Sequence, residues 1–132
     1  LELPVVEDPF GDLAYAEAGT HVPFPISRVF FVYAVPGEAV RGGHAHRRLE
    51  QAVFCLNGQL ELDLSDGRRR RRVRLAEPHT GIYLPPMIWH DLGGFAAGTV
   101  YLVLGSEPFD EADYIRDYDE YTAALAASGG VA

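Results

Sequence analysis

The residues with the plainest capacity for chemistry are His44 and His46, in the run RGGHAHRRLEQ at 41–51. Side chains two apart in an extended strand project to the same side. If that side is the interior of a β-structure, two imidazoles share one pocket. Imidazole has an unperturbed pKa of about 6.5, which suits proton transfer near neutrality. Two close imidazoles disfavour double protonation, so one stays neutral and basic while its neighbour can serve as acid. Such a pair can remove a proton from a carbon beside a ketone and return one elsewhere, each positioned group supplying roughly 10²–10⁴-fold. Arg41 upstream, and Trp89 and His90 in a later strand, set this pair apart from a lone histidine.

The same residues support a second reading. His44, His46, Glu50 and the later His90 nearly match the three-histidine, one-glutamate pattern of metal-binding cupins. A mixed nitrogen and oxygen set of that kind suits iron, manganese, nickel or zinc. Residue types alone leave both readings open. Met87, where the metal pattern prefers glycine, and the spacing before Gly58 count against the metal.

Short strands must carry these side chains. The 14 glycines and 9 prolines punctuate the chain at short intervals, as antiparallel strands joined by turns require. Strands are predicted at 28–32, 51–56, 59–64, 71–75, 81–84, 88–92 and 99–104. Asn57-Gly58 and Asp66-Gly67 read as hairpin turns. Within 59–64, Leu60, Leu62 and Leu64 alternate with Glu61 and Asp63, the pattern of a strand with one buried face. Evenly spaced antiparallel strands in a chain this long point to a barrel or jelly roll. Residues 110–127 lack glycine and proline and read as one or two short helices packed outside, with Asp110 as cap and Asp113 completing a partial capping box. Tyr114, Tyr118 and Tyr121 are expected to pack this tail.

The 132 residues are expected to form a single domain, 1–132. The net charge of −8 argues against nucleic acid as partner, because phosphate backbones select basic faces. The arginines at 68–72 follow a hairpin turn with no interleaved aromatics, so they read as a solvated edge. No apolar run approaches the roughly 18–20 residues of a membrane span. The lone Cys55 reads as a small buried hydrophobe. With no basic leader at the start of the sequence, a cytoplasmic location is expected.

The blocks RGGHAH at 41–46, LEQ at 49–51, GIYLPPMIWH at 81–90 and YIRDY at 114–118, with VPFPISRVFF at 22–31, together resemble the nucleotide-sugar 3,4-ketoisomerases of the cupin superfamily, the WxcM-like proteins. The resemblance implies an all-β cupin jelly-roll barrel with a short C-terminal helical segment, working without metal or other cofactor as a homodimer with exchanged strands. It implies a dTDP-4-keto-6-deoxy sugar as substrate and its 3-keto isomer as product, a step of deoxysugar biosynthesis. His44 and His46 become the catalytic pair, with His44 favoured as carbon base. Arg41 becomes a diphosphate contact. Gln51, Tyr83, Trp89 and His90 become substrate-binding residues, as do Phe10 and Phe30. At those last two positions relatives commonly carry a tyrosine, or at Phe10 an arginine. The loss of polar groups there also fits a non-catalytic sugar-nucleotide-binding module.

Overall fold

The computed structural model describes residues 1–128, and alternation of side chains decides its architecture. A small N-terminal ribbon pairs β1 (Val5–Val6) with β2 (Leu13–Ala14). β3 (Arg28–Val32), β4 (Arg41–His46), β5 (Gln51–Asn57), β6 (Leu60–Ser65), β7 (Arg70–Leu75), β8 (Gly81–Leu84), β9 (Trp89–Gly93), β10 (Val100–Gly105) and β11 (Tyr114–Ile115) then build two sheets. One has the order β3-β10-β5-β8, the other β11-β4-β9-β6-β7. The seven predicted strands are all present, with ends shifted by at most one residue. The two sheets face each other in the jelly-roll manner. Among the described residues their hydrogen-bonded ladders do not close into a ring.

The space between the sheets is filled from both sides. Val53, Tyr101 and Val103 from the first sheet meet Leu60, Leu62 and Leu92 from the second, all buried. Cys55 joins this core, as its apolar surroundings predicted. Glu61 and Asp63 face outward. There Asp63 accepts from the Arg72 guanidinium at 2.8 Å. The arginine run thus forms the charged outer edge of the second sheet, which discourages pairing with another strand.

The tail differs from the prediction in one respect. Asp110 caps a single 3-10 turn, Glu111–Asp113, and its carboxylate accepts from the Ala112 amide at 3.0 Å. The chain then extends into β11, which pairs with β4, before α1 (Tyr118–Ala127) begins behind a second cap, Asp117. Asp113 is therefore no capping-box partner. Its carboxylate turns away from the helix, toward β4. α1 lies on the outer face of the second sheet, where Tyr121 and Leu125 pack with Trp89, Ala45 and Ile115.

Candidate active site

β4 and β9 are neighbours, and their register sets His44 directly opposite His90. The backbone reaches that register through a bulge at Gly42 and Gly43, whose φ values of +84° and +69° favour glycine. Beyond the bulge, His44 and His46 project to one side, as predicted, with ring centroids 4.9 Å apart. The His44–His90 separation is 4.6 Å and the His46–His90 separation 6.0 Å. Each of the three offers a ring nitrogen within 4.8 Å of those on the other two.

Their protonation follows from burial and from one another. Burial, with His90 and His46 close by, lowers the His44 pKa from 6.5 to about 3. Burial and His90 lower that of His46 to about 4, against the opposing pull of Asp113. Burial lowers His90 as well, opposed by the Ile88 carbonyl and Asp91. All three are neutral imidazoles at pH 7. His90 Nδ1 lies 3.1 Å from the Ile88 carbonyl oxygen. A carbonyl only accepts, so the proton sits on Nδ1 and Nε2 keeps its lone pair. His44 Nδ1 and His46 Nε2 are buried with no hydrogen-bond partner.

The cluster forms one wall of a cavity of about 490 Å³ between the sheets. His44 and His90 line it directly, as do Phe30, Gln51 and Arg41. Arg41 Nε donates to the Tyr101 hydroxyl at 3.1 Å, which steadies the guanidinium in the cavity wall. His46 is 3% exposed and stands behind His44. Among the lining residues that sequence reasoning did not assign to the cavity are Arg28, Arg116 and Tyr114. Arg28 lies over the Phe30 ring at 4.5 Å, and Arg116 over the Tyr114 ring at 4.2 Å. Tyr114, expected to be tail packing, instead sits 5.0 Å from His44 and 4.3 Å from His46 by ring centroid.

Three expected substrate contacts lie elsewhere. Trp89 precedes His90 in β9, so it must face the opposite way, and it is buried against Tyr118 and Tyr121 on the outer face. Tyr83 pairs with Ala52, on the outer face of β5, and packs beside Phe24. Phe10 is 99% exposed, in the loop between β1 and β2. The carboxylate of the metal pattern is also misplaced. Glu50 accepts from the Tyr83 hydroxyl at 2.6 Å and stays out of the histidine cluster. The nitrogen half of that pattern is assembled and the oxygen half is not.

The chain as a whole has counterparts among known proteins. A family model described as FdtA, WxcM-like, C-terminal, matches residues 1–126. The chain belongs to this WxcM-like family. A TDP-4-oxo-6-deoxy-alpha-D-glucose-3,4-oxoisomerase from Aneurinibacillus thermoaerophilus is 40% identical over 119 residues, covering 90% of this chain and 86% of the relative. Among solved structures, a 3,4-ketoisomerase from Helicobacter canadensis is 33% identical with a TM-score of 0.93, over 96% of this chain and 95% of that one. A mutant of the 3,4-ketoisomerase QdtA from Thermoanaerobacterium thermosaccharolyticum, in complex with TDP-4-keto-6-deoxyglucose, is 34% identical. Its TM-score is 0.92, over 96% of this chain and 91% of that one.

Proposed function

We propose that this protein is an isomerase that moves the ketone of a TDP-linked 4-keto-6-deoxyhexose from C4 to C3. The observation that carries this reading is His44. It is neutral, lines the cavity, and is backed by two further neutral imidazoles. The C4 carbonyl acidifies the C3 proton, which His44 removes. The electron pair forms the C3–C4 double bond, and the former carbonyl oxygen takes up a proton to give an enediol. The C3 hydroxyl then gives up its proton, C4 receives one, and the ketone stands at C3. No electrons are gained or lost overall, and the substrate's own carbonyl is the electron sink. Arg41 meets the diphosphate, where a guanidinium fork suits phosphate oxygens.

A homodimer completes the site in this proposal. The outer face of the first sheet leaves Val29, Phe31 and Leu56 exposed beside a groove of about 930 Å³. A second copy covering that face would bury them and would bring its exposed Phe10 toward a partner's cavity. Sedimentation velocity is expected to give a dimer, and a monomer at micromolar concentration overturns this part. The cytoplasm, where nucleotide sugars are made, is the proposed location.

The deciding experiment is proton NMR of TDP-4-keto-6-deoxyglucose with EDTA-treated protein in D₂O. The expected result is conversion to the 3-keto isomer with deuterium entering at C4. Tight binding of the nucleotide sugar without deuterium incorporation would instead favour the binding-module reading that Phe10 and Phe30 suggest.

A further inference from the structure

Asp113 is a buried carboxylate to which the isomerisation scheme above gives no part. Its side chain is 5% exposed, and it stands 67 residues from His46 in sequence. The pairing of β11 with β4, Tyr114 opposite His46, brings the two together. Asp113 Oδ2 lies 3.2 Å from His46 Nδ1 and accepts from the Leu49 amide at 3.2 Å. Oδ1 accepts from the Arg48 amide at 2.7 Å. The Arg47 amide donates to the Asp113 carbonyl at 2.9 Å. The turn that follows the catalytic strand is thus wrapped around one carboxylate, with the Arg48 guanidinium as the nearest cation, at 3.7 Å.

We propose that Asp113 is a positioning residue that holds the His46 proton on Nδ1 and so aims the Nε2 lone pair into the cluster, toward His44. This rests on the ketoisomerase reading. Both Asp113 oxygens already accept backbone N–H bonds, so the group meets the imidazole as an acceptor and the ring must donate. A neutral imidazole that donates from Nδ1 is basic at Nε2, the atom left buried without a partner. When His44 takes the C3 proton it becomes an imidazolium with that lone pair beside it. His46 accepts part of the new charge, and Asp113 offsets it from behind. The proton that His44 takes from C3 exchanges with solvent in the cavity it lines, and C4 receives a solvent-derived one, while His46 and Asp113 steady the transient charge. A carboxylate that fixes a tautomer and supports a transient imidazolium is a recurring device in proton-transfer sites.

The test reads the tautomer directly. Long-range ¹H–¹⁵N correlation spectra of the unaltered protein at pH 7 are expected to show His46 protonated at Nδ1 and bare at Nε2. A proton on Nε2 overturns the proposal. In Asp113→Asn the new amide can donate where the carboxylate accepted, which favours the other tautomer. The variant is expected to lose about 10²-fold or more in kcat, with KM within threefold of the parent and the His46 proton moved to Nε2. A folded variant with kcat within threefold of the parent overturns the proposal. If the variant fails to fold, the tautomer of the unaltered protein decides alone. If the unaltered protein converts no keto-sugar, the isomerase reading falls, and the same spectra still decide whether Asp113 sets His46.

Discussion

His44 and His90 face each other across paired strands with ring centroids 4.6 Å apart, and burial together with His90 makes protonation of His44 harder. Two consequences are measurable, one in rate and one in stability.

The rate consequence concerns the acid side of the pH profile. With its pKa lowered to about 3, His44 remains a free base far below the usual imidazole range. kcat/KM reports the free enzyme. It is expected to show no acid limb near pH 6.5 and to fall only below about pH 5. A limb centred between 6 and 7 would mean that His44 is solvated like an ordinary surface histidine.

The stability consequence follows from linkage. The folded-state pKa values of His44, His46 and His90 all lie below the unfolded value of 6.5. Between those values the unfolded chain binds more protons, so the stability from keeping these rings neutral is fully present above pH 6.5. It drains away as pH falls toward 3–4. Each imidazole adds a slope of about 1.4 kcal/mol per pH unit within that window. Asp113 beside His46 and Asp91 beside His90 soften the loss, while Arg28 and Arg116 steepen it. The range from pH 6.5 to 5 isolates the effect, because carboxylates have barely begun to titrate there. Urea midpoints are expected to drop steadily across it, and a flat midpoint would refute the buried-neutral cluster.

The bulge before His44 provides a third prediction. A Cβ on Gly42 would lie 2.8 Å from the His90 carbonyl oxygen and 3.2 Å from Leu92 Cδ1, and it would sit at a φ of +84°. Gly42→Ala must therefore push β4 from β9 or abandon the bulge. It is expected to cost about 1–3 kcal/mol of stability and to lower kcat by displacing His44 from His90. Gly37→Ala, where the added Cβ meets only the Phe95 carbonyl oxygen at 3.6 Å, is the matched control and should leave both unchanged. Equal effects from the two substitutions would show that Gly42 has no special place in the site.

How far the sequence revealed this site depends on how local each signal is. The strands were legible because alternation such as that of Leu60, Leu62 and Leu64, and turns such as Asn57-Gly58, are local. The same-side placement of His44 and His46 was legible for the same reason. Asp113 was not, because its role depends on a two-residue strand pairing across 67 residues, and its spacing from Asp110 imitates a helix cap. Tyr83 could be placed only with the register that sets it beside Ala52. Trp89 is different, since strand alternation alone forbids it from sharing a face with His90, and only the family resemblance placed it at the substrate.

The placement of Trp89 makes the last prediction. Its ring meets Tyr118 edge-on at 5.1 Å and Tyr121 at 5.5 Å, on the face of the sheet away from the cavity. Behind it, the Tyr121 hydroxyl donates to the carbonyl oxygens of Met87, at 2.8 Å, and Ser65, at 3.0 Å. Met87 is held at a φ of +65°, in the Pro85–Ile88 turn that feeds His90 into the cluster. Trp89→Ala is expected to cost about 3–5 kcal/mol, as truncation of a buried indole does. Tyr121→Phe should cost about 1–3 kcal/mol by leaving buried carbonyls without a donor. In Trp89→Phe, which keeps an aromatic ring, KM for the keto-sugar should stay within twofold of the parent while the urea midpoint falls. A rise in KM of tenfold or more with stability unchanged would return Trp89 to the sugar and contradict the strand alternation that places it outside.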